Sequence, residues 1–265
     1  MSAPEADLPE PLAPDALTAA TLGQLPSWGR PVAHQLIATL LSGQNPFPCT
    51  FGVAAAKKNT LRFGFVDSAH DPGTWGPLTD ILTSYLACYQ ELGKDTSLVV
   101  FFGPDEPEDQ LLSQQEYFSR FWSVLQFLHE KDGSPWPEET PTDPDHPLWE
   151  FSFGGTEIFV VCNTPAHITR NSRHSPGFVI TFQPRWVFEG LEPDSPRGIR
   201  ARQVIRKRIR RYDALEPAPE LGDFGNADNR EWRQYFLPDA PGDTLPACPF
   251  HAVRNRTGAA PEEPQ

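Results

Sequence analysis

Apolar residues recur along this chain at two periods, and the alternation between them predicts the elements. Leu78, Ile81, Leu82, Tyr85, Leu86 and Tyr89 fall three or four apart, so one face of a helix from about Pro77 to Leu92 is apolar. The same period is plainest over Glu108–Lys131, where Leu111, Tyr117, Phe118, Phe121, Trp122, Leu125 and Leu128 share a side. A shorter amphipathic helix spans Pro31–Leu41, with proline in its first turn. Strands are read from short β-rich runs: Leu61–Val66, Ser97–Phe102 and Gly177–Phe182. Ser97–Phe102 is apolar almost throughout, which suits a central strand buried on both faces. Trp149–Phe153 and Glu157–Cys162 flank Gly154-Gly155 as a hairpin. Phe51–Lys58 fits either a strand or a short helix, and Lys58-Asn59 reads as a turn into the next strand.

Two late segments complete the pattern. Arg197–Leu215 is a helix with Val204, Ile205, Ile209 and Tyr212 as its apolar positions, and Asp223–Phe236 ends in a short aromatic helix. Proline accounts for 30 of 265 residues, roughly twice the average usage. Asn45-Pro46-Phe47-Pro48-Cys49 is therefore a stiff loop, and Pro135–Pro147 a long one that is neither helix nor central strand. The expectation is a single α+β domain: a mainly antiparallel sheet flanked by helices, with long Pro-rich loops and disordered termini. Its expected bounds are residues 29–252, with a Pro/acidic tail over 1–28 and a second tail over 253–265.

Composition narrows the function. A net charge of −13 argues against a nucleic-acid binder, which needs a basic surface. No apolar run reaches membrane-spanning length, and the acidic N-terminus lacks the basic start of a signal peptide. Cys49, Cys88, Cys162 and Cys248 show neither CxxC nor zinc-type spacing, so free thiols in a cytoplasmic protein are expected. Nucleotide-binding glycine motifs, GxSxG and HExxH are absent.

The chemically densest stretch lies between the strands Glu157–Cys162 and Gly177–Phe182. It carries His167, Arg170, Arg173 and His174 beside aromatic-rich strands. A neutral imidazole is a ligand for haem iron, zinc or non-haem iron, and neighbouring arginines can clamp carboxylates bidentately. From spacing alone, a surface loop with solvated arginines and a hydrogen-bonded histidine explains the stretch as well. Cys248-Pro249-Phe250-His251 offers a thiolate and an imidazole as rival ligands, against a plainer reading in which Phe250 docks in a groove and Cys248 is inert. Cys49 would be reactive only if a helix N-terminus or Lys57 or Lys58 lowered its pKa; no papain-like or thioredoxin-like context surrounds it, and a buried structural cysteine is the reading preferred. His146, between Asp143, Asp145 and Pro147, lacks the rest of a calcium loop. The basic helix 197–215 could hold an anionic ligand, but pairing with the chain's surplus acidic residues is the simpler account.

Several motifs taken in order resemble one family. NPFPCTFG (45–52), LRFGFVDS (61–68), NTPAHITRNSR (163–173), GFVITFQPRWVFEGL (177–191), IRKRIRRYDAL (205–215), NREWRQYFLPD (229–239) and CPFH (248–251) are similar to the YqcI/YcgG family. The resemblance runs from about residue 30 to 251. It implies a haem-dependent oxygenase that N-hydroxylates a guanidino or amino group, as in D-cycloserine-type and guanitoxin-type pathways. It implies haem b as cofactor, with His167 as the axial iron ligand, Cys248 and His251 as alternatives, and Arg170 and Arg173 near the propionates. The implied partners are an arginine-like amine or guanidine, O₂ and an external electron donor, without nucleic acid or membrane. Asp67, Asp143 and Glu150 are candidate carboxylates for the substrate cation. Two other classes stay open: a haem-binding sensor or carrier without turnover, and an accessory protein docking through the basic helix. A homodimer is also compatible with the sequence.

Overall fold

The computed structural model describes residues 14–104 and 112–254. Its centre is a five-stranded sheet of order β1-β2-β5-β4-β3, built from β1 (Leu61–Val66), β2 (Ser97–Phe102), β3 (Ser152–Phe153), β4 (Thr156–Asn163) and β5 (Val179–Pro184). Only β1 and β2 run parallel; β2–β5, β5–β4 and β4–β3 are antiparallel. The mainly antiparallel α+β reading is what the chain forms. Gly154 and Gly155 both have positive φ, 61° and 70°, which is what the tight β3–β4 turn requires.

Side-chain alternation divides the sheet into two unlike faces. Leu98, Val100, Phe102, Ile158, Val160, Cys162, Ile180 and Phe182 point into the main core, against α4 (Gly76–Leu92) and α5 (Gln114–Lys131). That core is aromatic: Trp122 on α5 stacks near Tyr235 at 6.2 Å and meets Trp149, Trp232 and Phe250. The opposite face is covered by α2 (Gly29–Leu41) and α3 (Thr50–Lys58) over β1 and β2, forming a second cluster. Over β4 and β5 that face is not filled. Phe159, Val161 and Asn163 are only half-buried, although their neighbours on β4 are fully buried. Helix α6 (Pro196–Tyr212) lies across the gap, and a short α7 (Trp232–Tyr235) follows.

Three boundaries differ from the sequence reading for physical reasons. The stretch expected as a tail contains α1 (Pro14–Ala20), whose Leu17 is fully buried in the second cluster; residues 1–13 lie outside the described residues. A single apolar anchor ordered a segment whose composition looked unstructured. The helix expected from Glu108 begins at Gln114, because Ser113 forms a capping box with Glu116; residues 108–111 lie outside the described residues. Phe51–Lys58 resolves as helix α3, closed by Asn59 in the left-handed conformation at φ 56°. The expected C-terminal tail begins with ordered chain: the Val253 amide donates to His129 Nε2 at 2.8 Å, and residues 255–265 lie outside the described residues.

Candidate functional site

The unfilled space beneath β4 and β5 is a cavity of about 950 Å³. Its floor is the sheet face carrying Val99, Phe101, Phe159, Val161, Val179 and Thr181, its roof is α6, and its sides are α2, α3 and the loop between β4 and β5. Cofactor and ligand sites commonly occupy about 300–1,000 Å³ and are mostly apolar with a few placed polar groups. This cavity has that character.

The loop joining β4 to β5 forms one wall, and it is strongly determined. Thr164 and Arg173 close it by a backbone hydrogen bond of 3.1 Å, and Asn171–Arg173 make a single 3-10 turn inside it. Its charged and imidazole side chains reach the segment Gln234–Asp239. Arg170 Nε donates to the Pro238 carbonyl at 2.8 Å, and Arg173 Nη2 donates to the Gln234 carbonyl at 2.9 Å. Asp239 accepts from the amides of Thr169 and Arg170 at 2.9 and 2.8 Å.

His167 belongs to this clamp. Its ring is fully buried, with Nδ1 2.9 Å from Thr164 Oγ1 and Nε2 2.9 Å from the Leu237 carbonyl oxygen. A carbonyl can only accept, so Nε2 carries the proton and Nδ1 accepts from the hydroxyl. Burial pushes the imidazole pKa down to about 4, keeping it neutral. Neither nitrogen has a lone pair left over, and His167 does not line the cavity.

Arg170 and Arg173 do line it. Arg170 is 2% exposed and Arg173 is 8% exposed, and burial beside Arg170 pushes Arg173 down to about 10, so it stays charged at neutral pH. Nη1 of Arg170 has no hydrogen-bond acceptor. The nearest carboxylate, Asp213, stands 3.9 Å away and already accepts from the Ser172 amide and hydroxyl at 2.6 and 2.7 Å. Arg170 and Arg173 place two buried positive charges on this wall, so it suits a carboxylate or a similar anionic group.

The remaining candidates separate. Phe250 is 2% exposed and docks among Trp122, Trp149 and Phe151, with Cys248 packed beside it and burial pushing that thiol up to about 12. Neither Cys248 nor His251 lines the cavity, and neither do Asp67, Asp143 and Glu150. Glu150 is fully buried, with Arg185 Nε at 2.5 Å, and Arg185 Nη2 reaches Glu231 at 3.2 Å while its guanidinium covers the Phe224 ring at 3.5 Å. Burial raises the pKa of both carboxylates, outweighing the opposite pull of the Arg185 guanidinium they share. Among these, Arg185 and Glu231 line the cavity, as does Asp223, whose Oδ1 is 3.0 Å from Arg202 Nε. No cluster of three or more potential metal-binding side chains exists among the described residues.

Three further lining residues were not assigned as ligands from the sequence. Cys49 caps the N-terminus of α3, its Sγ accepting from the Gly52 amide at 3.3 Å, but burial outweighs the helix end and pushes the thiol's pKa up, which suits the structural reading of this cysteine. His174 lines the cavity with an exposed ring, and its Nδ1 donates to the His167 carbonyl at 2.9 Å. Glu231 stood in a recognised motif but carried no signal of its own. The basic helix also has a placement: Arg208 donates to the Phe47 carbonyl at 3.2 Å, Arg211 to Gln44 at 3.4 Å, and Arg210 pairs with Glu216 at 2.7 Å.

Comparison with known proteins follows this geometry. The sequence profile described as the YqcI/YcgG family matches residues 36–251. The uncharacterised proteins YcgG and YqcI of Bacillus subtilis (strain 168) are each 40% identical, over 235 and 233 residues; the matches cover 88% and 87% of this chain and 91% of each relative. A Streptomyces lavendulae protein provisionally named N(omega)-hydroxy-L-arginine synthase DcsA is 34% identical over 237 residues, covering 85% of both chains. No solved structure matches.

Proposed function

The chain belongs to the YqcI/YcgG family, and from that premise we propose that it is a haem-dependent N-hydroxylase of a guanidino or amino compound resembling arginine. The observation that carries the reading is the name of the Streptomyces relative, aligned over most of both chains. The cavity supports it independently. Its apolar floor suits a flat macrocycle, and the two buried guanidiniums of Arg170 and Arg173 on its wall suit an anionic edge.

When bound, a haem supplies the binding and reduction of O₂. In the net reaction one oxygen atom enters an N–H bond, and the other leaves as water with two electrons and two protons from an external donor and solvent. The chain's residues position the reactants. Arg170 and Arg173 are the residues that would hold the anionic edge of the cofactor, by charge-assisted hydrogen bonds. Val99, Phe101 and Val179 exclude water from the floor, which strengthens every polar contact above them. Asp223, on the cavity wall beside Arg202, would accept a hydrogen bond from the substrate cation and orient its nitrogen. Among the described residues no helix is long and apolar enough to cross a membrane.

The test is an absorption spectrum of the purified protein before and after haem addition, followed by incubation with arginine, a reductant and O₂. A Soret band and a product heavier by one oxygen atom are expected. A protein that stays colourless after reconstitution overturns the proposal. A haem-loaded protein that forms no product from any guanidine or amine leaves a carrier or sensor.

A further inference from the structure

We propose that the outward face of α6 is the docking surface for a small acidic protein that carries single electrons, of the ferredoxin or flavodoxin class. The inference rests on the haem reading above, whose net reaction draws its electrons from an external donor, and adds where that donor binds.

Helix α6 has two unlike sides. Ala201, Ile205, Ile209 and Tyr212 line the cavity. On the opposite side lie Ile199, Arg200, Gln203, Val204, Lys207 and Arg211, all exposed and none of them lining it. Ile199 is 41% exposed and Val204 43%, and no other described helix leaves a large apolar side chain so open. The face is therefore basic with a small aliphatic centre.

Its charge is not neutralised within the chain. Of the cations on α6, Arg202 pairs with Asp223 at 3.0 Å and Arg210 with Glu216 at 2.7 Å. Arg206, Arg208 and Arg211 donate to the carbonyls of Leu221, Phe47 and Gln44 instead. Arg197, Arg200 and Lys207 make no ion pair among the described residues. In a chain of net charge −13, pairing with the surplus acids was the simpler expectation, and this face departs from it.

An acidic partner is repelled by the chain as a whole and attracted here, so the patch orients the encounter. The 17-residue helix is about 25 Å long. A polynucleotide or a membrane would extend past it onto the acidic remainder, whereas a small protein meets the basic stripe alone. Electron-transfer complexes are of this kind, with small interfaces steered by charge. Because α6 is the roof of the cavity, a partner on its outer side stands one helix diameter, about 10–12 Å, from the space beneath. The roof is firmly held. Arg202 donates to the Leu191 carbonyl at 3.2 Å, and Gly198 packs so closely that a Cβ there would meet the Glu192 and Leu191 carbonyl oxygens at 2.4 and 2.5 Å. Two carriers docking in turn, each oxidised by one electron, supply the pair that reduces the second oxygen atom of O₂ to water with two protons from solvent.

The experiment titrates the full-length protein with a purified plant-type [2Fe–2S] ferredoxin and with a flavodoxin, beside the double variant Arg200→Glu/Lys207→Glu. Each titration is run at low salt and at about 1 M, where the screening length falls to about 3 Å. Both substituted positions are exposed and away from the cavity, and circular dichroism checks the fold. Binding of at least one carrier is expected, weakened about tenfold or more by high salt and by the double variant. The haem-loaded variant should be reduced more slowly by that carrier and as fast as the wild type by dithionite. Unchanged binding in the variant, or no binding of either carrier, overturns the docking surface and leaves the haem reading standing. A homodimer that the double variant dissolves does the same, as does tighter binding of single-stranded RNA or phosphatidylserine vesicles than of either carrier. A protein that cannot be loaded with haem removes the haem reading, and the titration then decides the face by itself.

Discussion

Nε2 of His167 donates to the carbonyl oxygen of Leu237 across 2.9 Å, joining residues 70 positions apart in sequence. With Thr164 on Nδ1, this makes the ring a rivet between the β4–β5 loop and the segment after α7. Replacing His167 by alanine empties a buried site and strands two polar groups, so a loss of about 2–4 kcal/mol is expected. Urea denaturation measures it; a loss below about 0.5 kcal/mol, the range of ordinary surface substitutions, would contradict the rivet.

The same ring imposes an acid sensitivity. Its pKa is about 4 in the fold against 6.5 in the unfolded chain. Between these values the unfolded chain binds the extra proton, so stability rises with pH across the window. The contribution is complete above pH 6.5 and is lost as pH falls from there toward 4. At about 1.4 kcal/mol per pKa unit, roughly 2 kcal/mol should disappear between pH 7.5 and 5. His167→Gln should show a correspondingly smaller drop over the same interval, and parallel curves for the two proteins would exclude this origin.

Arg170 tests the anionic edge of the proposed cofactor. A hydrogen bond to a charged group contributes about 1.5–3 kcal/mol, so Arg170→Gln should weaken haem binding by roughly ten- to a hundredfold. Titration of the apoprotein with haem reads this directly. Equal affinity in the variant and the wild type would remove Arg170 from the cofactor site.

Arg185 sits between Glu150 and Glu231 and serves both. Removing it in Arg185→Met leaves two buried carboxylates without a cation, and breaking such a pair typically costs about 3–5 kcal/mol. Because burial already raises both pKa values, the variant should recover part of its loss at low pH, where the acids are neutral. Denaturation at pH 5 and pH 8 checks this; a larger deficit at pH 5 would refute it.

Leu17 tests whether α1 is part of the domain. It is fully buried against the second cluster, so Leu17→Ala should cost about 2–4 kcal/mol. A dispensable tail would show no change in melting temperature.

Much of the fold could be read from the pattern of apolar residues. The spacing of Leu78, Ile81, Leu82 and Tyr85 placed α4 to within a residue, and the run Ser97–Phe102 gave β2 as found. The site was less visible because its marks are contextual. Cys49 gains its setting only once Thr50–Lys58 is known to be helix, and periodicity left that segment undecided. His167 and Arg170 lie three residues apart in one motif, yet one faces the chain and the other lines a cavity. The half-buried alternation of β4 was the local trace of that cavity, but sequence cannot distinguish a residue facing an empty space from one facing solvent.

The clamp from the β4–β5 loop onto Gln234–Asp239 also dictates an order of assembly. A chain emerging from the ribosome can pair all five strands long before residue 234 appears, because the last of them ends at Pro184. The arginine-bearing wall is finished only once Gln234–Asp239 has been made. Nascent protein is thus denied a completed pocket until that segment arrives, and a product stopped before it loses the arginine-bearing wall together with Tyr235, Phe236 and Phe250 of the main core.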